Sequence, residues 1–557
     1  MSESDLDTGI TPSESRSEGL DIDLSVVRAF EFDGKKVKGY KGDTIASALF
    51  DSGTRIFSRS FKYHRPRGLL CVEGNCPNCL VTVNGIPNVR CCQKPIQEGM
   101  EVKSQNAWPS LAVDFMSIIN KFGWLMPVGF YYKFFHTPKP FWRIAAKIIR
   151  RVAGLGSISE TSRGVLNYKN IDMHSDVVVI GGGPAGMSAA IEASKYGCDV
   201  TLVDKHSELG GHLRWNRPYK VKGYNGDSTF VTTDLSSRLI SEITSNKSMR
   251  LLNDGLVFGA YEDNLLGIKQ NEYFIKLRSK SVVVATGAHE IPPVFENNDL
   301  PGIMLCSAVA KLIRLYGVKP GMQAVVFGSS DVIYQTALDL ADSSVHVKAI
   351  VDLRKKVDNL DILREIQSLQ IKIYLGYTIV KSNGSKHLTG CVVRSIDNTK
   401  SEMNIDCDLL AVTDGIQTNF GLLQQSGFKV EYNSEINQFL PENEVESVYY
   451  AGRVAGSLNL NIDLLSGKKA GLQAASYAGF HIDDISEEIK NIDSSIKVEI
   501  KTSERSSLQS TDIESSGKTF ICYCEDVLAG DIRNAIDEGY TDIQTLKRYA
   551  TVTMGPC

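Results

Sequence analysis

The sequence predicts a multi-domain protein of the α/β plus α+β class. Three observations lead there. From about residue 171 to 485, short β-branched apolar runs alternate with apolar helices, as in a doubly wound parallel sheet. A hairpin and a short capped helix precede that core, and a small helical segment with cysteines of its own follows it.

The N-terminal part is the most specific. Phe30-Glu-Phe-Asp33-Gly34-Lys-Lys-Val37 reads as a hairpin turning on Asp-Gly. Asp43-Thr44 caps an apolar helix, Ile45 to Phe50, that stops at Gly53. A cysteine loop follows: Cys71-Val-Glu-Gly-Asn-Cys76-Pro-Asn-Cys79, then Cys91-Cys92. The spacing is C-x4-C-x2-C-x11-C, or x12 if Cys92 is the last ligand. Two strands, a helix and a cysteine loop is the order of a β-grasp ferredoxin-like domain, here residues 25–105. Three thiolates on one tight loop and a fourth from a following strand suit a [2Fe–2S] cluster, because each iron takes two soft anionic ligands. The candidate ligands are Cys71, Cys76, Cys79 and Cys91. A structural zinc site and a redox dithiol at Cys76/Cys79 are the alternatives. Zinc loops favour paired C-x2-C knuckles, and dithiols usually lack a third thiol nearby.

A chain of 557 residues should hold three or more domains. Its 42% apolar and 23% charged content is ordinary for a soluble protein, and a net charge of −4 leaves no footprint for nucleic acid. Five cysteines stand without framework spacing (Cys198, Cys306, Cys391, Cys407 and one of Cys91/Cys92), which fits a reducing compartment. Residues 1–24 are Ser/Asp/Glu-rich without an apolar stretch, so they read as a disordered tail and not as a signal or transit peptide. The apolar segment from Trp108 to Phe135, within a connecting segment 106–170, is interrupted by Asp114 and Lys121 and falls short of a membrane span. The expected location is cytoplasmic.

In the core, 171–485, the strand Asp176–Ile180 enters Gly181-Gly-Gly183-Pro184-Ala185-Gly186, and a helix from Met187 to Lys195 follows. The first glycine makes the tight turn, the second admits the pyrophosphate, and the third lets helix and strand pack closely. A second strand ends in Asp204, followed by Lys205, at the distance expected for a ribose-binding acid. This predicts a bound dinucleotide or at least an adenine nucleotide. Gly210-Gly211-His212, the Ala285-Thr286-Gly287 turn and Ala451-Gly452 extend the pattern of two-dinucleotide-binding flavoproteins. Arg453 stands where such proteins carry the acid that binds the ribityl chain, so FAD and NAD both remain open. The second subdomain, about 290–415, has only Gly328 in its turn, Gly328-Ser-Ser-Asp331, and is expected to be a Rossmann-like scaffold that no longer binds NAD(P)H.

Residues 486–518 read as a polar linker. Phe520-Ile-Cys522-Tyr-Cys524 then leads into a helix to Gly539, a second helix capped by Thr541-Asp-Ile-Gln544, and Cys557. Residues 519–557 are similar to the small helical [2Fe–2S] domain of bacterioferritin-associated ferredoxins, shortened before the last cysteine. That likeness makes Cys522, Cys524 and Cys557 candidate ligands; buried structural thiols are the alternative.

Arg59-Ser-Phe-Lys-Tyr-His64-Arg-Pro-Arg-Gly68, Gln105-Asn-Ala-Trp-Pro-Ser110, Gly129-Phe-Tyr-Tyr-Lys133 and Ala153-Gly-Leu-Gly156 resemble the heterotetrameric sarcosine oxidase alpha subunits, from about residue 28 to the end. Opine oxidases and hydrogen cyanide synthases are the relatives that keep the cluster cysteines. The resemblance implies an electron-transfer and nucleotide-binding alpha subunit. A secondary amine or amino acid would be oxidised on a flavin-bearing beta subunit, with FMN at the subunit interface and NAD in the alpha core. It also implies an aminomethyltransferase-like domain that this sequence lacks, which reads as truncation near residue 557. No residue presents itself as a general base. His64 is expected to pack or line an interface, His212 to approach the nucleotide, and His289 either to approach it or to lie at the surface. The competing readings are a self-contained NAD(P)H:acceptor reductase, against which Arg453 and the Gly328 turn count, and a non-catalytic scaffold subunit.

Overall fold

The computed structural model describes residues 16–134, 139–152, 168–222, 229–398, 401–502 and 517–555. The chain forms two compact units. One comprises residues 1–164, 291–415 and 509–557; the other comprises 165–290 and 416–508.

The first unit contains the N-terminal sheet, ordered Lys35–Lys41, Asp23–Phe32, Glu101–Ser104, Leu80–Val83, Ile86–Arg90. Asp23–Phe32 pairs antiparallel with its hairpin partner and parallel with Glu101–Ser104, the mixed order of a β-grasp sheet. The hairpin turns on Asp33 (φ 48°) and Gly34 (φ 79°), a left-handed pair that Asp-Gly adopts readily. Thr44 caps the helix Ile45–Asp51 through a reciprocal box with Ser47. That helix buries every residue from Ile45 to Phe50. Residues 16–24 of the expected disordered tail are ordered against this unit, and residues 1–15 lie outside the described residues. Arg16 pairs with Asp43 at 2.6 Å, both side chains buried, and Leu20 N–H donates to the Arg314 carbonyl at 2.8 Å. A buried carboxylate needs a partner, and Arg16 supplies it.

The same unit holds the second nucleotide-type subdomain. Its parallel sheet is ordered Ile303–Leu305, Leu409–Val412, Gln323–Gly328, His346–Asp352, Lys372–Leu375. The C-terminal segment adds the short strand Phe520–Cys522 and the helices Ala529–Asp537 and Ile543–Ala550. The last helix is capped by Asp542, which accepts from Gln544 N and Thr545 N at 3.0 and 3.1 Å, and not by Thr541 as expected. A charged carboxylate one residue on outcompetes the hydroxyl because it also meets the positive end of the helix.

The second unit is built on a sheet ordered Met249–Leu252, Val200–Val203, Lys169–Ile180, Tyr273–Val284, Leu265–Gln270, Gly255–Tyr261, with Val448–Tyr450 pairing parallel to Tyr273–Val284. The helix after the first strand starts at Pro184, three residues before the expected Met187, because proline suits the first helical position. Residues assigned to a linker on composition are helical through 502. Ile485–Thr502 buries Ile492 and packs on the helix Leu460–Tyr477. Its apolar spacing is real but diluted by Ser, Asp and Lys, which hid it. The remainder of the expected linker, 503–516, lies outside the described residues, as do residues 153–156.

Candidate iron–sulfur and nucleotide sites

The loop from Cys71 to Cys79 and the turn Cys91–Gln93 bring five cysteines together, with exposures of 4, 6, 2, 0 and 1% for Cys71, Cys76, Cys79, Cys91 and Cys92. Val72 and Gly74 take left-handed backbone (φ 46° and 76°), which curls the loop. Cys71 Sγ and Cys76 Sγ are 3.3 Å apart. Cys92 lies close enough to perturb both the Cys71 and the Cys79 thiols, whereas Cys91 perturbs Cys79. The Cys71 thiol is held well below its usual range, first by Cys76, then by Cys92, with Lys311 adding attraction. Cys76, Cys79 and Cys92 are pushed up by their thiol neighbours and burial.

These residues fit a binuclear cluster. Soft thiols without oxygen ligands are what iron–sulfur chemistry selects. Among the described residues, no group of three or more His, Cys, Asp and Glu side chains converges on one metal-ion position.

The Arg59–Gly68 string anchors this domain. Arg65 grips Asp299 through Nε and Nη2 at 2.7 Å each, and Arg67 bridges Asp299 at 3.0 Å and Asp526. Burial pushes the Asp299 carboxyl up, but Arg67 and Arg65 hold it below its ordinary value. His64 Nδ1 lies 2.9 Å from Asp114 Oδ2 with both side chains buried. Cys522 is a free buried thiol, and Tyr523 beside it donates to the Asn298 carbonyl at 3.0 Å. Cys524 is disulfide-bonded and so is not a free thiolate here. Cys557 lies outside the described residues, so the described part does not assemble a terminal cluster.

In the second unit the glycine turn has the predicted geometry. A Cβ on Gly181 would meet the Ala285 carbonyl at 2.3 Å, and one on Gly186 would meet the Gly181 carbonyl at 1.8 Å, so strand and helix touch backbone to backbone. A Cβ on Gly183 would find nothing closer than Gly211 Cα at 4.0 Å, which leaves room at the helix N-terminus begun by Pro184 and Ala185. Asp204 Oδ2 accepts from Gly182 N at 2.5 Å and its Oδ1 from His206 N at 2.8 Å. Burial pushes this carboxyl up; the His206 and Gly182 hydrogen bonds outweigh it and hold it down. Lys205 is exposed. His212 is half-buried, and burial followed by the Arg453 charge holds its imidazole neutral, well below its usual range.

Sequence reasoning missed two residues. Asn419 clasps the Thr286-Gly287 turn: it donates to the Thr286 carbonyl at 3.0 Å, takes Thr286 Oγ1 on its own carbonyl at 2.9 Å, and meets His289 Nδ1 at 2.8 Å. His289 is therefore part of this clasp, and half-buried. Asp463, in the first turn of Leu460–Tyr477, lies 3.6 Å from where a Gly452 Cβ would stand. It is 2% exposed, and its Oδ1 and the Nε of Arg453 are buried with no hydrogen-bond partner among the described residues. Burial pushes Asp463 up to about 6, partly offset by Arg453 and Ser457. The only sequence signal for it is an acid after the helix cap Asn459.

A thiol-lined β-grasp domain and a dinucleotide turn on a doubly wound sheet define an oxidoreductase with an iron–sulfur domain and a nucleotide-binding core. The chain belongs to the pyridine nucleotide-disulphide oxidoreductase family, which matches residues 175–479. The 2Fe-2S iron-sulfur cluster binding domain matches residues 28–107, and the sarcosine oxidase A3 domain matches 516–557. The resemblance to sarcosine oxidase alpha subunits holds along the chain: that of Rhizobium meliloti is 31% identical over 96% of this chain and 54% of its own length. The chain thus spans about half the length of that relative. An opine oxidase polypeptide of Agrobacterium tumefaciens is 24% identical, over 69% of this chain and 82% of its own. The crystal structure of L-proline dehydrogenase from P. horikoshii shares the fold, with a TM-score of 0.69 at 19% identity, covering 96% of this chain and 90% of that one. Among the described residues no helix is long and apolar enough to cross a membrane.

Proposed function

We propose that this chain is the electron-transfer and nucleotide-binding subunit of a multi-subunit, flavin-dependent amine oxidoreductase of the sarcosine oxidase kind. A partner beta subunit would oxidise a secondary amine or amino acid at its own flavin, with FMN at the interface. The observation that carries the reading is the buried five-thiol loop in a chain that matches sarcosine oxidase alpha subunits nearly end to end. A bound [2Fe–2S] cluster supplies a one-electron station. Cys71, Cys76 and Cys79 would hold it, with Cys92 as fourth ligand, because Cys92 reaches both Cys71 and Cys79. Cys91, the other candidate, would then be a neighbouring buried thiol.

In the core, Gly181, Gly183 and the helix N-terminus at Pro184 would cradle the phosphates, and Asp204 the ribose. Arg453 offers a cation beside Gly452, which favours NAD or another adenine nucleotide. A second reading, FAD in the core, is favoured by Asp463, whose buried carboxylate supplies near Gly452 the acid missing at position 453. Cys522, Cys524 and Cys557 would hold a second cluster only with the Cys524 disulfide open.

The test is anaerobic purification of the chain with iron, labile sulfide and zinc analysis, electron paramagnetic resonance, and mass identification of bound nucleotide. About two irons and two sulfides per chain are expected, with a nucleotide bound and no NADH oxidation by the chain alone. Zinc without sulfide sinks the electron-transfer reading. NADH–dye turnover by the isolated chain would replace it with the reductase reading.

A further inference from the structure

We propose that the buried ion pair between Lys311 and Glu73 sets the reduction potential of the centre held by the cysteine loop, with Lys311 raising it and Glu73 lowering it. The inference rests on the [2Fe–2S] reading of that loop. Lys311 is on the helix Cys306–Arg314, and Glu73 lies inside the loop between Cys71 and Cys76. Their side chains are 6% and 17% exposed and meet as an ion pair. Just before the helix, Leu305 N–H donates to the Leu70 carbonyl at 2.9 Å. The helix therefore holds the loop on both sides of Cys71; burial pushes the Lys311 ammonium down to about 7 while the Cys71 charge draws it back up, so Lys311 is mostly cationic below pH 7 and its field reaches that thiol. Both residues sit against one apolar core that includes Cys71, Cys76, Val309 and Leu312.

Burying a lysine and a glutamate is costly, and an apolar pair of the same size would hold the loop as well. Charge at this position has an effect that packing does not. Adding one electron makes the cluster more negative, so a nearby cation stabilises the reduced form and a nearby anion destabilises it, with little screening at low exposure. Lys311 and Glu73 are positioning residues.

The test is an anaerobic redox titration of the full chain against dithionite, followed by electron paramagnetic resonance, for wild type, Lys311→Met, Lys311→Arg and Glu73→Gln. Iron and labile sulfide are measured on each sample. Lys311→Met should lower the midpoint potential, Glu73→Gln should raise it, and Lys311→Arg should restore the wild-type value. Loosening of the loop alone would move both neutralising variants the same way, or neither, and either result overturns the inference while leaving the cluster reading intact. If Lys311→Met loses its cluster, Glu73→Gln decides: a potential that does not rise overturns the proposal. Wild-type chain without labile sulfide overturns the cluster reading and this inference together.

Discussion

Arg67 and Asp526 meet as a buried ion pair although 459 positions separate them. The same guanidinium bridges to Asp299, lies 4.8 Å from the Phe520 ring centroid and 5.4 Å from that of Tyr523. One arginine of the N-terminal string thus ties the cysteine loop's domain to the C-terminal segment. Removing it leaves two buried carboxylates short of a partner.

Arg67→Met should therefore destabilise the first unit by about 3–5 kcal/mol, the usual cost of breaking a buried ion pair from one side. Chemical denaturation of the anaerobic protein measures it. Limited proteolysis should show cleavage near residue 518 before other sites. A loss under 1 kcal/mol would mean the pair is no more than a surface contact in energy.

Asp463 should make stability depend on pH. Its folded carboxyl is raised to about 6 from an ordinary 3.8. A raised acid contributes its stability fully below pH 3.8 and loses it as pH climbs through 6. The second unit should thus lose roughly 3 kcal/mol from this group between pH 4 and 8. Asp463→Asn should remove that slope and leave the nucleotide-free chain more stable than wild type at pH 8. Unfolding at both pH values decides it; parallel curves would assign the slope elsewhere.

The two glycines of the nucleotide turn should separate folding from binding. Gly186→Ala drives a methyl into the Gly181 carbonyl and should cost about 1–3 kcal/mol. Gly183→Val fills only the open space facing Gly211, so it should keep the melting temperature and lose the co-purifying nucleotide. Thermal melts and mass analysis of the extracted nucleotide read the two effects.

Cys92→Ser should abolish labile sulfide and the low-temperature resonance signal, while Cys91→Ser should retain both. The reverse result would return the fourth ligand to Cys91.

Several elements were legible from short stretches of sequence. The Asp33-Gly34 turn, the Thr44 cap, the cysteine loop and the Gly181–Gly186 turn depend on residues within a few positions of each other, where backbone sterics and local hydrogen bonds dominate. What depends on distant residues was not legible. The helix Ile485–Thr502 was hidden because its stability comes from packing on Leu460–Tyr477 rather than from its own polar composition. Asn419, Asp299 and Asp526 carry no local signature, and Asp463 only that of an acid after a helix cap; each matters because the chain returns to Thr286, Gly452, Arg65 or Arg67. The choice between Cys91 and Cys92 is of the same kind, since adjacent residues in a tight turn point to different neighbours.

By itself the sequence determined the α/β plus α+β class, the cysteine set and the dinucleotide turn, because those are written in local spacing. Only the tertiary structure decided the rest. It placed residues 291–415 in one compact unit with the N-terminal and C-terminal segments, and it set an acid, Asp463, beside Gly452 and Lys311 against Glu73 of the cysteine loop. The physical reason is that burial requires every charge to find a partner, and the sequence alone does not say which distant residue that partner is.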